Sequence, residues 1–334
     1  MAASTSVEPP TAAGLRPRQA LTLRQRLSRA DRTITAYGFI APFFVVFIAF
    51  GLYPLLDTAW VSLRHEELTS SGSSWAGFDN FSYLFGNEYF RKALWHTVTI
   101  GLLSTVPQLL MALGLAHLLN QRMRGRTFFR VLMLMPYATS VAAAALVFAQ
   151  LFGTDHGLIN WVIGLVGIDP IAWEPGSWTS QVAVSSIVVW RWTGYNALIY
   201  LAAMQAVPGE LFEAAAMDGA SKWQQFRNVT LPSLRPTIVF TVVVSSIGAT
   251  QLFGEPLLFS AGAGNANAFG GSSHQYQTLG LLMYQQAFTD GSLGRAAATA
   301  WTMFVIIVIV TVVNSLLVSG KLRLPGRSRK GARA

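Results

Sequence analysis

The sequence lacks cysteine and has few charged residues. Without cysteine, the chain has no disulfide bonds, no thiolate metal ligands and no cysteine nucleophile. Charged residues make up 12% of the chain, whereas soluble globular domains carry about 25%. Apolar residues make up 52%. This balance predicts an integral membrane protein.

Motifs for nucleotide binding and catalysis are also missing. The chain has no Gly-x-x-x-x-Gly-Lys-Ser/Thr loop to hold phosphates and no Gly-x-Ser-x-Gly nucleophile motif. The stretch His65-Glu66-Glu67 begins like a metalloprotease helix but lacks the second histidine. The five histidines show no ligand spacing. We therefore expect no catalytic residue, no metal site and no cofactor bound by this chain.

Six segments are long enough and apolar enough to cross a bilayer, which takes about 20 residues. Because the bilayer core offers no water to pair with backbone groups, each segment is predicted to be a helix. The predicted fold class is an all-α integral membrane protein with six transmembrane helices. The predicted spans are Ala36–Leu63, Ala93–Leu119, Phe128–Phe152, Gln181–Ala206, Pro236–Phe259 and Ala296–Ser319.

Lysine and arginine are distributed unequally between the connecting segments. Of the 24 such residues, 19 fall in residues 1–35, in the loops after the second and fourth spans, or in the tail 321–334, and four fall in the other loops. Cytoplasmic loops carry this excess, so both termini are predicted to be cytoplasmic. A disordered basic arm of residues 1–35 and a basic tail of residues 321–334 are expected to flank a transmembrane domain of residues 36–320. The net charge of +9 then reflects topology and indicates no nucleic-acid partner.

A polar segment between the fourth and fifth spans carries a pattern at fixed spacing. Residues 213–219 read Glu-Ala-Ala-Ala-Met-Asp-Gly, and residues 229–232 read Val-Thr-Leu-Pro. This pattern resembles the Glu-Ala-Ala signature of the membrane subunits of bacterial ATP-driven importers, in which isoleucine usually stands at the position of Val229. The residues expected to couple to an ATPase are Glu213, Ala214, Ala215, Asp218, Gly219, Leu231 and Pro232.

The resemblance extends over roughly residues 36–320. Residues 75–81, 202–208 and 290–298 are similar to segments of sugar permeases of the binding-protein-dependent, maltose-type ABC importers. The resemblance implies a type I importer fold in the bacterial cytoplasmic membrane, with residues 208–232 forming a cytoplasmic coupling helix. It also implies four kinds of partner: an ATPase dimer that binds ATP and magnesium, a second and usually different permease chain, an extracytoplasmic sugar-binding protein or lipoprotein, and a sugar.

The coupling segment also has a physical interpretation of its own. Its small residues allow two backbones to approach closely, and Gly219 suits a helix C-terminus or a close contact. We expect Glu213 to meet a basic or polar group of the ATPase, and Asp218 to do the same or to hold the turn through a local backbone bond. The alternative interpretation is an ordinary amphipathic cytoplasmic loop.

Polar and aromatic residues inside the fourth and fifth spans are candidates for contact with a solute. Glu255 is a candidate partner of Arg191, and Gln251 and Glu255, four apart, are expected on one helix face that Ser245 does not share. The alternative is that the aromatic residues only pack and that Arg191 is structural. Gln108 and Gln150 are interpreted as helix–helix hydrogen bonds. The candidate pathway residues are Trp190, Arg191, Trp192, Tyr195, Asn196, Ser245, Gln251 and Glu255.

The predicted function is therefore the pore-forming subunit of an ATP-driven importer, not an enzyme. It would form half of a pathway that moves a di- or oligosaccharide by alternating access. Import of sn-glycerol 3-phosphate, a polyol or an amino sugar is the alternative. A secondary transporter would show internal repeats and would need no docking segment for an ATPase.

Overall fold

A computed structural model describes residues 35, 37–69, 72–121, 123–174, 176–264 and 269–318. The predicted basic tail and nearly all of the predicted basic arm lie outside the described residues. The chain divides into two compact units at Asp57. The first unit contains most of helix α1 (Tyr37–Ser62), including a π-helical segment at Ile48–Leu52.

The second unit is helical apart from a two-stranded antiparallel sheet that pairs Arg64 with Trp75 and His65 with Ser74. Short π-helical segments lie within α9 and directly after α12. The elements after α1 are β1 (Arg64–His65), β2 (Ser74–Trp75), α2 (Asp79–Gly86), α3 (Glu88–Asn120), α4 (Arg126–Ala138), α5 (Val141–Leu151), α6 (Leu158–Gly164), α7 (Ser177–Gln205), α8 (Gly209–Met217), α9 (Lys222–Ser233), α10 (Arg235–Thr250), α11 (Gly254–Gly262), α12 (Leu279–Tyr284) and α13 (Leu293–Val318).

Helix α7 is the central element of the second unit and packs along α3. Its 29 residues span about 44 Å at 1.5 Å per residue, more than a bilayer core of about 30 Å. Polar side chains join it to its neighbours: Tyr200 lies 2.6 Å from the Thr241 hydroxyl, and Gln181 donates to the carbonyl of Gln275 at 3.0 Å. Such bonds satisfy polar groups that would otherwise be buried without partners.

Four of the six predicted spans form single helices, namely α1, α3, α7 and α13. By length and hydropathy, three helices of the described residues can cross a membrane. Up to five spans are present if the bent pairs α4–α5 and α9–α10 each count as one. The three are α1, α3 and α13. Helix α7 is long enough to cross but is not among these three, because polar residues, including Arg191, occur along its length.

The prediction of one helix over Phe128–Phe152 is wrong. Helices α4 and α5 meet at an angle of 91°. Pro136 lies in the last turn of α4 and has no backbone N–H, so the helical hydrogen-bond ladder is interrupted there. Thr139 is extended, and the Ser140 side chain accepts a hydrogen bond from the Ala143 backbone N–H, which starts α5 as a new helix.

The prediction of one helix over Pro236–Phe259 is also wrong. Helix α10 ends at Thr250, and α11 begins at Gly254. Pro256 cannot donate to the carbonyl of Leu252, four residues earlier, and its ring would clash with that carbonyl in a continuous helix. The hydroxyl of Thr278 donates to the Leu252 carbonyl instead. The chain therefore leaves the helical path before the proline.

Two segments that resemble sugar permeases come together in the structure. The side-chain amide of Asn80 donates to the carbonyls of Ser62 and Arg64, both at 2.9 Å. Gly294, from the other segment, packs so closely against the Arg64 carbonyl that a Cβ at this position would overlap it. These contacts give a structural reason for an asparagine at 80 and a glycine at 294. The two residues join the start of α13 to the sheet that follows α1.

Candidate functional site

The candidate site is a cavity of about 780 Å³ in the second unit. Helices α3, α7 and α10 line it, together with the ends of α4, α5 and α11 next to the two helix breaks. The sequence-predicted residues that line it are Arg191, Trp192, Tyr195, Asn196, Ser245, Gln251 and Glu255.

Both helix breaks border this cavity. Tyr137 and Val141 flank the break between α4 and α5, and the break between α10 and α11 contributes residues 251–254. Irregular backbone at membrane depth is tolerated where it is buried in protein or lines a water-filled cavity. Broken helices of this kind surround solute sites in transporters because their free backbone groups can bind polar ligands. The breaks therefore make this cavity the strongest candidate for the solute pathway.

The predicted pairing of Arg191 with Glu255 is confirmed. Nη1 of Arg191 lies 2.8 Å from Oε1 of Glu255, and the two side chains are only 10% and 9% exposed. Nη2 of Arg191 also donates to the Thr139 carbonyl at 3.4 Å. In straight helices the two residues would differ in depth by about 10 Å at 1.5 Å per residue, but the break before Pro256 removes that condition. Arg191 therefore contacts both helix breaks at once.

Three aromatic rings form a cluster on one side of the cavity. Tyr137 and Tyr195 are stacked, with ring centroids 4.7 Å apart and an interplanar angle of 18°. Trp192 packs edge-on against both, at 5.2 Å from Tyr137 and 5.8 Å from Tyr195. Tyr137 was missed by the sequence analysis because it lies outside the two spans that the resemblance indicated. Its position next to Pro136 marks a helix end, which is the one local signal it offers.

Trp190 is not brought into this cavity. It lines a separate apolar cavity of about 790 Å³, where its ring lies 5.5 Å from the ring of Phe148. Successive residues of a helix differ by about 100° in direction, so Trp190 and Trp192 cannot both face one side of α7. Trp190 therefore lies outside the candidate cavity, and its assignment to the pathway stays a prediction.

Polar groups on α3, α7 and α10 complete the cavity. Gln108 donates to the Ser245 hydroxyl at 3.1 Å, as predicted. The other predicted interhelical bond is also confirmed, although it lies outside this cavity: Gln150 on α5 donates to the Gly262 carbonyl at 3.0 Å. The side-chain amide of Asn196 donates to the Trp192 carbonyl of its own helix. Gln108 also lines the cavity, a position the sequence analysis did not assign to it. Its Oε1 atom has no partner among the described residues.

The expectation that Gln251 and Glu255 share a helix face, with Ser245 on another, is wrong. Gln251 is the C-cap of α10, whereas Glu255 lies in the first turn of α11. All three residues nevertheless line the one cavity. The helical-face argument assumes continuous helix, and the break at residues 251–253 removes that condition.

The segment predicted to couple to an ATPase contains helix α8, whose residues are all at least partly exposed. Gly219 has a φ of +77°, and the backbone N–H groups of Gly219 and Ala220 donate to the carbonyls of Ala216 and Ala215. These two bonds are the Schellman motif that ends a helix, so the prediction that Gly219 forms a helix C-terminus is confirmed. The carboxylate of Asp218 has no hydrogen bond to the described residues.

Helix α9 follows directly and is bent by 64° relative to α10. Its start is a capping box in which Ser221 and Gln224 bond each other's backbone N–H groups. Leu231 and Pro232 lie in its last turn, before the bend at Leu234. Large apolar side chains in this region are exposed: Met217 is 89% exposed and Trp223 is 67% exposed.

Comparison with known families decides what kind of protein this is. Residues 108–323 match the family described as binding-protein-dependent transport system inner membrane component. The chain belongs to this family. This permease is therefore an inner-membrane component of a transport system, not an enzyme.

Individual relatives match nearly the whole permease. It is 33% identical over 303 residues to the lactose transport system permease protein LacF of Rhizobium radiobacter, covering 89% of this chain and 97% of that protein. It is 32% identical over 290 residues to the sn-glycerol-3-phosphate transport system permease protein UgpA of Escherichia coli, covering 86% and 95%. It is 30% identical to the arabinooligosaccharides transport system permease protein AraP of Halalkalibacterium halodurans, covering 90% of each chain.

A solved structure has the same fold. One chain of a bacterial ABC transporter involved in the import of the acidic polysaccharide alginate superimposes with a TM-score of 0.72. The match covers 89% of the permease and all of that chain, at 21% sequence identity. The fold predicted from the resemblance, that of a type I ABC importer permease, is therefore confirmed.

Proposed function

We propose that this permease forms half of the pathway of an ATP-driven importer that moves a di- or oligosaccharide by alternating access. The observation that carries the proposal is the cavity itself. It gathers seven of the eight residues that the sequence predicts for the pathway, and both helix breaks border it. Its volume of about 780 Å³ lies within the usual range of roughly 300–1,000 Å³ for small-molecule sites.

The chemistry of the cavity suits a sugar. A pyranose ring presents flat C–H faces and a rim of hydroxyls, so it needs aromatic faces as well as planar polar groups. Tyr137, Trp192 and Tyr195 supply the aromatic faces. The side-chain amides of Gln108, Asn196 and Gln251 line the same cavity and can both donate to and accept from hydroxyls.

The coupling helix of this proposal is the segment 208–232. Its exposed Met217 and Trp223 support a docking role, because large apolar side chains left exposed mark interaction surfaces. We propose that α8 docks in a groove of a separate ATPase and that Glu213, exposed on α8, meets a basic or polar group there. ATP and magnesium would be bound by that ATPase.

The proposed topology has six spans. Helices α1, α3, α7 and α13 cross singly, the bent pair α4–α5 provides a fifth span, and α10 with α11 provides the sixth, with both termini, α8 and α9 in the cytoplasm. Closure of the ATPase dimer would move α8 and rock the helices around the cavity as rigid bodies. A second, different permease chain would form the other half of the pathway, and an extracytoplasmic binding protein or lipoprotein would deliver the sugar.

The assembly is tested by purifying the tagged permease from its native membranes in mild detergent and identifying the proteins that accompany it. We expect an ATPase, a second multi-span chain and a solute-binding protein. Recovery of the permease alone or as a homodimer, even after crosslinking, would contradict the proposal and favour a secondary transporter.

The coupling role and the sidedness are tested together, since the cysteine-free chain allows single cysteines to be placed at will. Glu213→Cys should crosslink to the ATPase, whereas Asp290→Cys, an exposed carboxylate between α12 and α13, should not. In intact cells a membrane-impermeant maleimide should label the cysteine at 290 and spare the one at 213. Labelling of both, or crosslinking from 290 only, would overturn the proposed orientation.

A further inference from the structure

The cavity is electrically balanced by one ion pair. Among its lining residues, all of which the structure describes, Arg191 is the single cation and Glu255 the single anion. Their side chains are about nine-tenths buried and 2.8 Å apart. We infer that Glu255 is the residue that makes this cavity select a neutral solute over an anionic one. The inference rests on the proposed function, in which this cavity is the solute pathway.

An incoming anion cannot approach the guanidinium without meeting Glu255. Glu255 accepts from Nη1, and the Thr139 carbonyl lies 3.4 Å from Nη2. Nε has no hydrogen-bond partner among the described residues, but it is buried and so is closed to solvent. A phosphate or carboxylate binds arginine through parallel N–H groups, so it would have to displace the Glu255 carboxylate or lie next to it. Two anions close together repel each other, and more strongly where, as at Glu255, the charged side chain is about nine-tenths buried.

A neutral sugar meets no such penalty. Its hydroxyls carry no net charge, and they can bond to the amides of Gln108 and Asn196 while the ion pair stays intact. The relatives do not decide this point, because LacF is named for lactose and UgpA for sn-glycerol 3-phosphate. The selection for neutral solutes therefore follows from the geometry of Arg191 and Glu255.

Glu255→Gln removes the negative charge at residue 255 and keeps the hydrogen bond to Arg191. The glutamine side-chain oxygen can still accept the hydrogen bond from Nη1, and the Thr139 carbonyl still holds Nη2. The guanidinium is therefore expected to stay in place while the cavity gains one positive charge. Arg191→Gln/Glu255→Gln is the matched control, since it has the same amide at 255 but no charge.

The experiment measures equilibrium binding of radiolabelled sn-glycerol 3-phosphate to the purified complex after its solute-binding protein has been removed. Removing that protein leaves the permease cavity as the site under test. We expect Glu255→Gln to bind sn-glycerol 3-phosphate at least about tenfold more tightly than either the wild type or the double variant. Radiolabelled lactose, run in parallel, should show no such charge-dependent gain.

Two results would overturn the inference. One is a monodisperse Glu255→Gln complex that binds sn-glycerol 3-phosphate no more tightly than the wild type does. The other is an equal gain in the double variant. The proposed function has a separate test, since it fails if no ATPase accompanies the wild-type chain. The comparison of anion binding bears only on the charge of the cavity.

Discussion

Nη1 of Arg191 and Oε1 of Glu255 lie 2.8 Å apart, although 64 residues separate them in sequence. The pair joins the middle of α7 to the first turn of α11, and the contact of Arg191 with the Thr139 carbonyl extends the link to the break between α4 and α5. One guanidinium thus holds together the two places where the helices of the cavity are interrupted.

Removing one partner of the pair should be more damaging than removing both. Arg191→Met leaves the buried Glu255 carboxylate without its cation, which costs on the order of 3 kcal/mol. Arg191→Met/Glu255→Met replaces both charges with apolar side chains and should recover most of that loss. The measurement is thermal unfolding of the purified permease in detergent. If the double variant is as unstable as the single one, the pair is not the source of the effect.

A side chain at Gly194 should separate α7 from α4. A Cβ at this glycine would overlap the carbonyl of Met133, so Gly194→Ala forces the two helices apart, next to the aromatic cluster. We expect a large loss of monodisperse protein in size-exclusion chromatography. The matched control is Gly248→Ala on α10, which also lines the cavity but has open space around its Cβ and should gain helix propensity. Equal yields from the two variants would contradict the prediction.

The hydroxyl of Thr278 should stabilise the break before Pro256. It donates to the Leu252 carbonyl, whose helical partner would be the proline nitrogen. Thr278→Val keeps the shape but leaves this carbonyl unsatisfied and also removes the N-cap that the hydroxyl provides to the Leu281 N–H of α12, at a combined cost of about 1–3 kcal/mol in thermal unfolding. Thr302→Val is the control, because the Thr302 hydroxyl bonds to a carbonyl within α13, where the helix ladder is intact. The prediction is wrong if the two valine variants unfold alike.

Gly219 should set the local stability of α8. Its φ of +77° is left-handed, and a Cβ at this position would meet no atoms, so Gly219→Ala adds backbone strain of about 1 kcal/mol and no clash. Hydrogen exchange of the α8 amides should therefore be roughly fivefold faster. Gly209→Ala, at the other end of α8 and also unobstructed, should leave exchange nearly unchanged. Global unfolding of Gly219→Ala should lose about the same 1 kcal/mol, whereas that of Gly209→Ala should match the wild type.

The aromatic cluster should contribute to solute affinity in the reconstituted importer. Tyr195→Ala removes one of the two stacked rings, whereas Tyr195→Phe keeps the ring and loses only the hydroxyl. We expect the alanine variant to raise the KM of uptake about fivefold, equivalent to about 1 kcal/mol, and the phenylalanine variant to stay close to the wild type. Trp190→Ala is the control, since Trp190 lines the other cavity. A larger effect from Trp190 than from Tyr195 would exclude the cluster as a sugar-binding surface.

The sequence predicted much of this permease because the bilayer imposes simple rules. A run of apolar residues must form a helix in lipid, which is why α1, α3, α7 and α13 agree with their predicted spans. The Glu-Ala-Ala pattern indicated the family, because its positions have fixed spacing in one continuous segment. The Arg191–Glu255 pair was also foreseen, since a buried cation requires an anion and few are present in the spans.

The sequence by itself determined the class of protein, the family and seven of the residues that line the cavity. Only the tertiary structure decided where two of the helices break, that Tyr137 joins the cavity and that Trp190 does not. The physical reason is that a helix break depends on distant partners: the Leu252 carbonyl is released by Pro256 but is satisfied by Thr278, which lies 26 residues away. Which side of a helix faces a cavity likewise depends on the neighbouring helices, and the hydropathy of one segment does not specify which helices those are.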